Sequence, residues 1–66
     1  MDKTTIKSTE TGQEQICDIL RKNEKILEVV IEGTTIKVLL KKNNRIYVGR
    51  YKEMEFISTG NYFLSL

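Results

Sequence analysis

The sequence predicts an α+β fold that is mainly β, with one short N-terminal helix packed on a five-stranded antiparallel β-meander. The meander is indicated by residues 26–66, where short runs rich in Ile, Val, Leu, Tyr and Phe alternate with turn-forming pairs at near-even spacing. The helix is indicated by residues 11–22, which join a helix-start signal to apolar residues at helical spacing. The turn pairs are Gly33-Thr34, Asn43-Asn44, Lys52-Glu53 and Gly60-Asn61.

The first nine residues are polar and fit either a tail or an edge strand. The β-branched run Thr4, Thr5 and Ile6 favours a strand. An alternative fold follows, in which residues 3–8 form a strand of an open β-α-β sheet and the C-terminal segment is loose.

A helix is expected from about residue 11 to residue 22. Thr11 and Glu14 have the spacing of a capping box, in which each side chain bonds the other residue's backbone N–H. Asn23 can adopt the left-handed conformation that ends a helix. An apolar stripe on this helix would face the sheet. Its members are Ile16, Ile19 and Leu20, with Cys17 beside them.

Two-residue turns set the expected register of the meander, which runs from about residue 26 to residue 66. The Gly60-Asn61 turn returns residues 62–66 as the fifth strand. Around Gly33-Thr34, the expected pairs are Leu27–Leu40, Val29–Val38 and Ile31–Ile36. Around Asn43-Asn44, they are Leu40–Tyr47, Val38–Gly49 and Ile36–Tyr51. Around Lys52-Glu53, they are Tyr51–Met54, Arg50–Glu55 and Gly49–Phe56.

Alternation along the strands separates two faces of the sheet. One face is almost wholly apolar and is assigned to the core under the helix; it carries Leu27, Val29, Ile31, Ile36, Val38, Leu40, Tyr47, Tyr51, Met54 and Phe56. The other face mixes charge with six aliphatic residues, which we call the aliphatic strip: Ile26, Val30, Leu39, Ile46, Val48 and Ile57.

The aliphatic strip is the candidate interface, because soluble monomers seldom expose a contiguous apolar patch of this kind. A subunit interface is one interpretation. The alternative is that the fifth strand, the N-terminal segment or closure into a small barrel covers the strip within one chain.

Cations of the central hairpins form a second candidate surface. They could contact nucleic-acid phosphates, with Tyr47 or Tyr51 stacking on bases. A solvated rim is the favoured interpretation, because acidic residues dilute the patch and both tyrosines fall on the expected core face. These cations are Lys37, Lys41, Lys42, Arg45, Arg50 and Lys52.

Composition limits what can stabilise a single domain of 66 residues. One cysteine excludes an internal disulfide, and the lack of histidine excludes a zinc site built from Cys and His ligands. No metal or cofactor is therefore expected, and oligomerisation remains as support for a small core. The net charge of +2 neither requires nor excludes a polyanion. The lone thiol and the polar N-terminus indicate a cytoplasmic protein without a membrane span.

No catalytic constellation is visible. There is no histidine to act as a base, no Gly-rich phosphate loop and no G-x-S-x-G motif. Cys17 is expected to be a buried, inert thiol. The sequence thus predicts a non-enzymatic small interaction protein of the regulator or inhibitor type. It is expected to form a homo-oligomer, with a dimer favoured, and to bind another macromolecule, with a protein favoured. The alternative is an RNA- or DNA-binding module, and capture of a small ligand stays open.

Overall fold

Described residues of the computed structural model form one antiparallel sheet that closes into a barrel. The model describes residues 2–61, and residues 63 and 64 by their backbone alone. Its strands are β1 (Asp2–Ser8), β2 (Glu14–Lys22), β3 (Ile26–Ile31), β4 (Lys37–Asn43), β5 (Ile46–Tyr51), β6 (Met54–Ser58) and β7 (Phe63–Leu64).

Closure depends on β1, which pairs with strands on both of its sides. Each strand from β1 to β5 pairs with the next one in the chain, and β6 pairs with β1 through Lys7–Ile57 and Ser8–Phe56. The short strand β7 continues along the same edge of β1, with Asp2 opposite Leu64. The result is a six-stranded barrel, so closure into a small barrel, which the sequence offered as one possibility for the meander, is confirmed.

The inward face of the barrel is the face that alternation predicts as core. The buried apolar side chains on this face are Ile6, Cys17, Leu27, Val29, Val38, Leu40, Tyr47 and Phe56. Ile31, Ile36 and Tyr51 are half-buried and pack against them. Met54 is the exception, because it lies at a turn and is 42% exposed.

The predicted helix over 11–22 is wrong, since residues 14–22 form β2. Cys17 and Ile19 point inward, whereas Ile16 and Leu20 point outward and are 45% and 46% exposed. Alternation is regular from Ile16 to Leu20, and the apolar residues match helical spacing only because the outward positions 16 and 20 also carry aliphatic side chains. A register shift follows between Ile19 and Arg21.

The capping box is replaced by a hairpin loop between β1 and β2. The Thr11 hydroxyl accepts from the N–H of Gln13 at 3.1 Å, and Gly12 N–H donates to the Ser8 carbonyl at 2.9 Å. Threonine favours both helix N-caps and turns in which its hydroxyl bonds a nearby backbone N–H. Here the pairing of residues 14–18 with β1 selects the turn. The alternative expectation of a strand at residues 3–8 agrees with β1, although its β-α-β context does not.

Two of the three tested hairpin registers are confirmed. Around Gly33-Thr34, Leu27 pairs with Leu40 and Val29 with Val38. Around Lys52-Glu53, Gly49 pairs with Phe56. The third turn, predicted at Asn43-Asn44, is wrong by one position. Asn43 pairs with Ile46, so the turn is Asn44-Arg45. As a result, Leu40 lies opposite Gly49 instead of Tyr47. A one-residue slide of the turn moves the pairing by two, so both faces are preserved.

The end of the chain differs from the expected fifth strand. Residues 63 and 64 pair with β1 rather than returning along β6 as a hairpin. Residues 62, 65 and 66, which belonged to that expectation, lie outside the described residues.

The β1–β6 seam is completed by side chains where backbone pairing stops. The buried Ser58 hydroxyl donates to the Thr5 carbonyl at 2.7 Å and accepts from Gly60 N–H at 3.0 Å. The Thr4 hydroxyl, also buried, donates to the Asn61 carbonyl at 2.5 Å. These bonds satisfy polar groups that closure removes from water.

Gly49 allows close contact between β4 and β5. A Cβ atom at this position would lie 2.4 Å from the Leu39 carbonyl oxygen and 2.9 Å from the Leu40 Cα. Both atoms belong to the backbone, so a side-chain rotation cannot relieve the clash. A glycine inside a strand thus permits the tight approach that bends this part of the barrel.

We therefore expect Gly49→Ala to lower the free energy of unfolding by about 1–3 kcal/mol, because the added methyl group overpacks against backbone. Chemical denaturation measures this change. Gly33→Asn is the matched control: nothing lies within 4 Å of a Cβ there, and Asn tolerates its φ of 80°. Equal stability of Gly49→Ala and the native protein would contradict the close approach.

We also expect Ser58→Ala to cost about 1–3 kcal/mol of stability, since it leaves the buried Thr5 carbonyl and Gly60 N–H without this partner. The control is Thr59→Ala at the exposed neighbouring position, with an expected change within about 0.5 kcal/mol. A Ser58→Ala effect no larger than the control would mean that the seam does not need this hydroxyl. Denaturant midpoints and slopes distinguish the two outcomes.

Candidate interaction surface

The aliphatic strip lies on the outer wall of the barrel. Inward positions of β3–β6 fill the core, so the intervening positions face outward. One continuous row of paired outward residues crosses five strands and consists of Ile26, Lys41, Val48, Ile57 and Lys7. Leu39 lies diagonally beside this row, opposite Glu28. Diagonal neighbours on a sheet remain within reach of large side chains, so the strip is contiguous.

No described element lies over the strip, because every described strand belongs to the barrel wall or to its edge. Leu39 is 45% exposed, and the other five members are half-buried among their neighbours. One alternative to a subunit interface was that barrel closure covers this face within one chain. Instead, closure places the face outside, and the N-terminal segment becomes wall strand β1.

Charges of both signs surround the strip. Arg50 lies opposite Glu55 on the β5–β6 ladder. Arg21 Nε lies 3.7 Å from Glu28 Oε1 on the β2–β3 ladder. Lys37 and Lys41 flank Leu39 on its own strand and are exposed. The wall thus presents aliphatic side chains alternating with cations and carboxylates.

The six hairpin cations predicted as a nucleic-acid surface are all exposed, but the barrel separates them. Lys42 and Arg45 lie at the end of the barrel that carries the 44–45 turn. Lys37 and Lys52 lie at the opposite end, and Lys41 and Arg50 are on the wall between. The predicted cluster is therefore divided between the two ends of the barrel and the wall between them.

Neither tyrosine is placed for free base stacking. Tyr47 is 2% exposed, and its hydroxyl donates to the Asn23 carbonyl at 2.8 Å. The Lys42 ammonium lies 5.2 Å from the centre of its ring. Tyr51 is half-buried, with the Lys52 ammonium 5.6 Å from its ring centre.

A charged network on the outer wall was missed by sequence reasoning. Lys3 Nζ donates to Asp18 Oδ1 at 2.6 Å and to Glu32 Oε2 at 2.5 Å, joining β1 to β2 and to the turn that follows β3. Hydrogen bonds to both carboxylates raise the Lys3 pKa. The partners lie 15 and 29 residues away, so no local pattern could have indicated them.

A shallow groove of about 180 Å³ follows the β1–β6 seam beside the strip. Its lining residues are Thr5, Lys7, Glu14, Ile46, Ile57, Ser58 and Thr59. Since Ile46 and Ile57 belong to both features, the groove extends the strip into a concave surface that can receive a side chain.

Within residues 2–61, no group of three or more Cys, Asp and Glu side chains is arranged to hold a metal ion. The same part of the chain has no helix of the length and apolar character needed to cross a membrane.

The fold and this surface together define a small closed antiparallel β-barrel with an aliphatic outer wall. Compared with models of protein families, with curated proteins and with solved structures, the chain matches none of them. Function must therefore be inferred from the chain's own residues.

Cys17 lies inside the barrel, away from this surface. It is completely buried, and burial, followed by the nearby charges of Asp18 and Glu32, raises the pKa of its thiol to about 11 from 9.0. The folded state therefore holds this proton more tightly than the unfolded state. Its contribution to stability is complete below pH 9 and is lost as the pH rises toward 11.

We expect the Cys17 thiol to resist alkylation by iodoacetamide at pH 8 in the native protein. A pKa two units above normal alone lowers the thiolate fraction about a hundredfold, and burial blocks access as well. Mass spectrometry after labelling measures this protection. Labelling in denaturant is the control and should be fast. Equally fast labelling without denaturant would contradict a closed core.

Proposed function

We propose that this chain is a non-enzymatic interaction protein that self-associates as a dimer through the aliphatic strip and acts by binding another macromolecule. The observation that carries the proposal is the position of the strip. The barrel closes over its other face, so the strip is left outside with no described element over it.

The small size of the core supports self-association. Eight apolar side chains of residues 2–61 are buried, and Cys17 is a free thiol. Domains of this size commonly need a disulfide, a metal or a partner subunit to reach adequate stability. Covering the strip would add apolar burial to that core at about 25 cal/mol per Å².

A second copy of the chain suits this surface because the surface is complementary to itself. In a two-fold dimer the same patch is used on both subunits. Aliphatic residues of the strip can pack across such an axis. The flanking Lys41 and Arg50 of one subunit can then meet Glu28 and Glu55 of the other.

The available area is sufficient. A standard interface buries about 800 Å² on each partner. The exposed surface of the chain is 4836 Å², so a dimer would use about a sixth of it.

We expect the native protein to elute with light-scattering mass about twice the 7.7 kDa of one chain, and Leu39→Lys to elute as a folded monomer. Leu39 is 45% exposed, so lysine fits there without entering the core. In a dimer, however, the new ammonium would be buried at the centre of the strip without a partner. Circular dichroism verifies that the variant is folded.

Met54→Lys is the matched control, because Met54 has a similar exposure of 42% and the substitution adds the same charge. It lies at the 52–53 turn and on the sheet face opposite to the strip, so it should leave the dimer intact. A native protein that stays monomeric at its highest soluble concentration would refute the proposed self-association. Equal dissociation by both variants would refute the assignment of the interface.

A further inference from the structure

Charge is distributed unevenly along the axis of the barrel. One end is formed by the 23–25 and 44–45 turns, residues 59–61 and the strand ends that meet them; we call it the basic mouth. Apart from residues on the wall, the basic mouth carries Lys22, Lys25, Lys42 and Arg45 against Asp2 and Glu24. The opposite end carries Glu10, Glu14, Glu32 and Glu53 against Lys37 and Lys52.

Register directs two of these lysines toward the opening of the barrel. Lys22 pairs with Leu27 and Lys42 pairs with Tyr47, and both partners point inward. Lys22 Nζ donates to the Gly60 carbonyl at 2.7 Å, and the Lys42 ammonium lies above the Tyr47 ring. Their charges therefore converge on the mouth instead of spreading along the wall.

Backbone hydrogen bonds hold the cationic segments together. Lys42 N–H donates to the Lys25 carbonyl at 2.7 Å, which ties β4 to the turn before β3. The Asn23 side chain accepts from the N–H groups of Lys25 and Ile26, and its carbonyl accepts from the Tyr47 hydroxyl. A fixed frame lowers the entropic cost of placing several cations against one ligand.

We propose that the basic mouth binds the phosphate backbone of a nucleic acid without reading its sequence. Lys25, Lys42 and Arg45 are exposed there, whereas the ring of Tyr47 is buried, so the mouth offers charge without a stacking platform. A DNA duplex carries one negative charge per about 1.7 Å of its axis, and neutralising these charges releases counterions. A compact group of cations gains most from such a ligand.

The basic mouth is distinct from the surface proposed for self-association. The strip lies on the wall of the barrel, and the mouth lies at its end. A dimer formed through the strip would leave both mouths open, so binding of nucleic acid and dimerisation can be tested by separate variants.

The test uses fluorescence anisotropy of a short labelled oligonucleotide, single-stranded and as a duplex, over a series of sodium chloride concentrations. We expect the native protein to bind with an affinity that falls linearly with salt on logarithmic axes. The variant Lys42→Gln with Arg45→Gln should reduce the salt slope on single strands by about 1.4, since each lost phosphate contact removes about 0.7. The two probes show which form of the backbone is preferred.

The matched control is Lys37→Gln with Lys52→Gln, which removes the same charge from the opposite end of the barrel. Its affinity should stay within about twofold of the native value. Light scattering should give the native mass for both variants. Absence of binding at low salt, or equal weakening by the two variants, would overturn the proposal. Tighter binding of polyglutamate than of the oligonucleotides would also overturn it and identify an acidic peptide as the ligand.

Discussion

Pairing of β1 on both of its sides is the constraint on which the rest of this structure depends. Once β1 joins β2 to β6, the sheet has an inside and an outside, and the two-residue period of every strand assigns each side chain to one of them. Closure also removes most of the exposed strand edges that make open sheets aggregate. The interior is then filled by one face alone, with buried hydroxyls of Thr4 and Ser58 completing the seam where backbone pairing is short.

The two candidate surfaces follow from this geometry in different ways. The aliphatic strip exists because the outward positions of β3–β6 carry Ile, Val and Leu where a solvated wall would carry polar residues. The basic mouth exists because turns from distant parts of the sequence meet at one end of the barrel. Alternation along a strand indicates the first surface, whereas the second appears only when the strand connections are known.

The sequence predicted those parts of the fold that depend on neighbouring residues. Alternation and turn chemistry identified β3–β6, their core face, the strip and two of three hairpin registers. The Asn43-Asn44 turn was placed one residue early because both asparagines tolerate a positive φ, and the structure uses Asn44, with φ of 62°. Residues 11–22 were assigned to a helix because Ile16, Ile19 and Leu20 have helical spacing, although Ile16 and Leu20 lie on the outer face of β2 and Ile19 lies on its inner face. The Lys3 network joins strands that no local pattern relates, so only the folded chain shows it.

The seam between β1 and β6 also constrains the order of folding. The bond from Ser58 to the Thr5 carbonyl joins residues 53 positions apart, and the bond from Thr4 to Asn61 joins residues 57 apart. The central hairpins need only local contacts and can form early, but the barrel cannot close until both ends of the described chain are present. Long-range contacts of this kind slow folding, and during synthesis they postpone closure until Ser58 and Asn61 have left the ribosome. Until then β1 has β2 as its partner and the edge that β6 will occupy stays open, so the growing chain is exposed to mispairing at that edge.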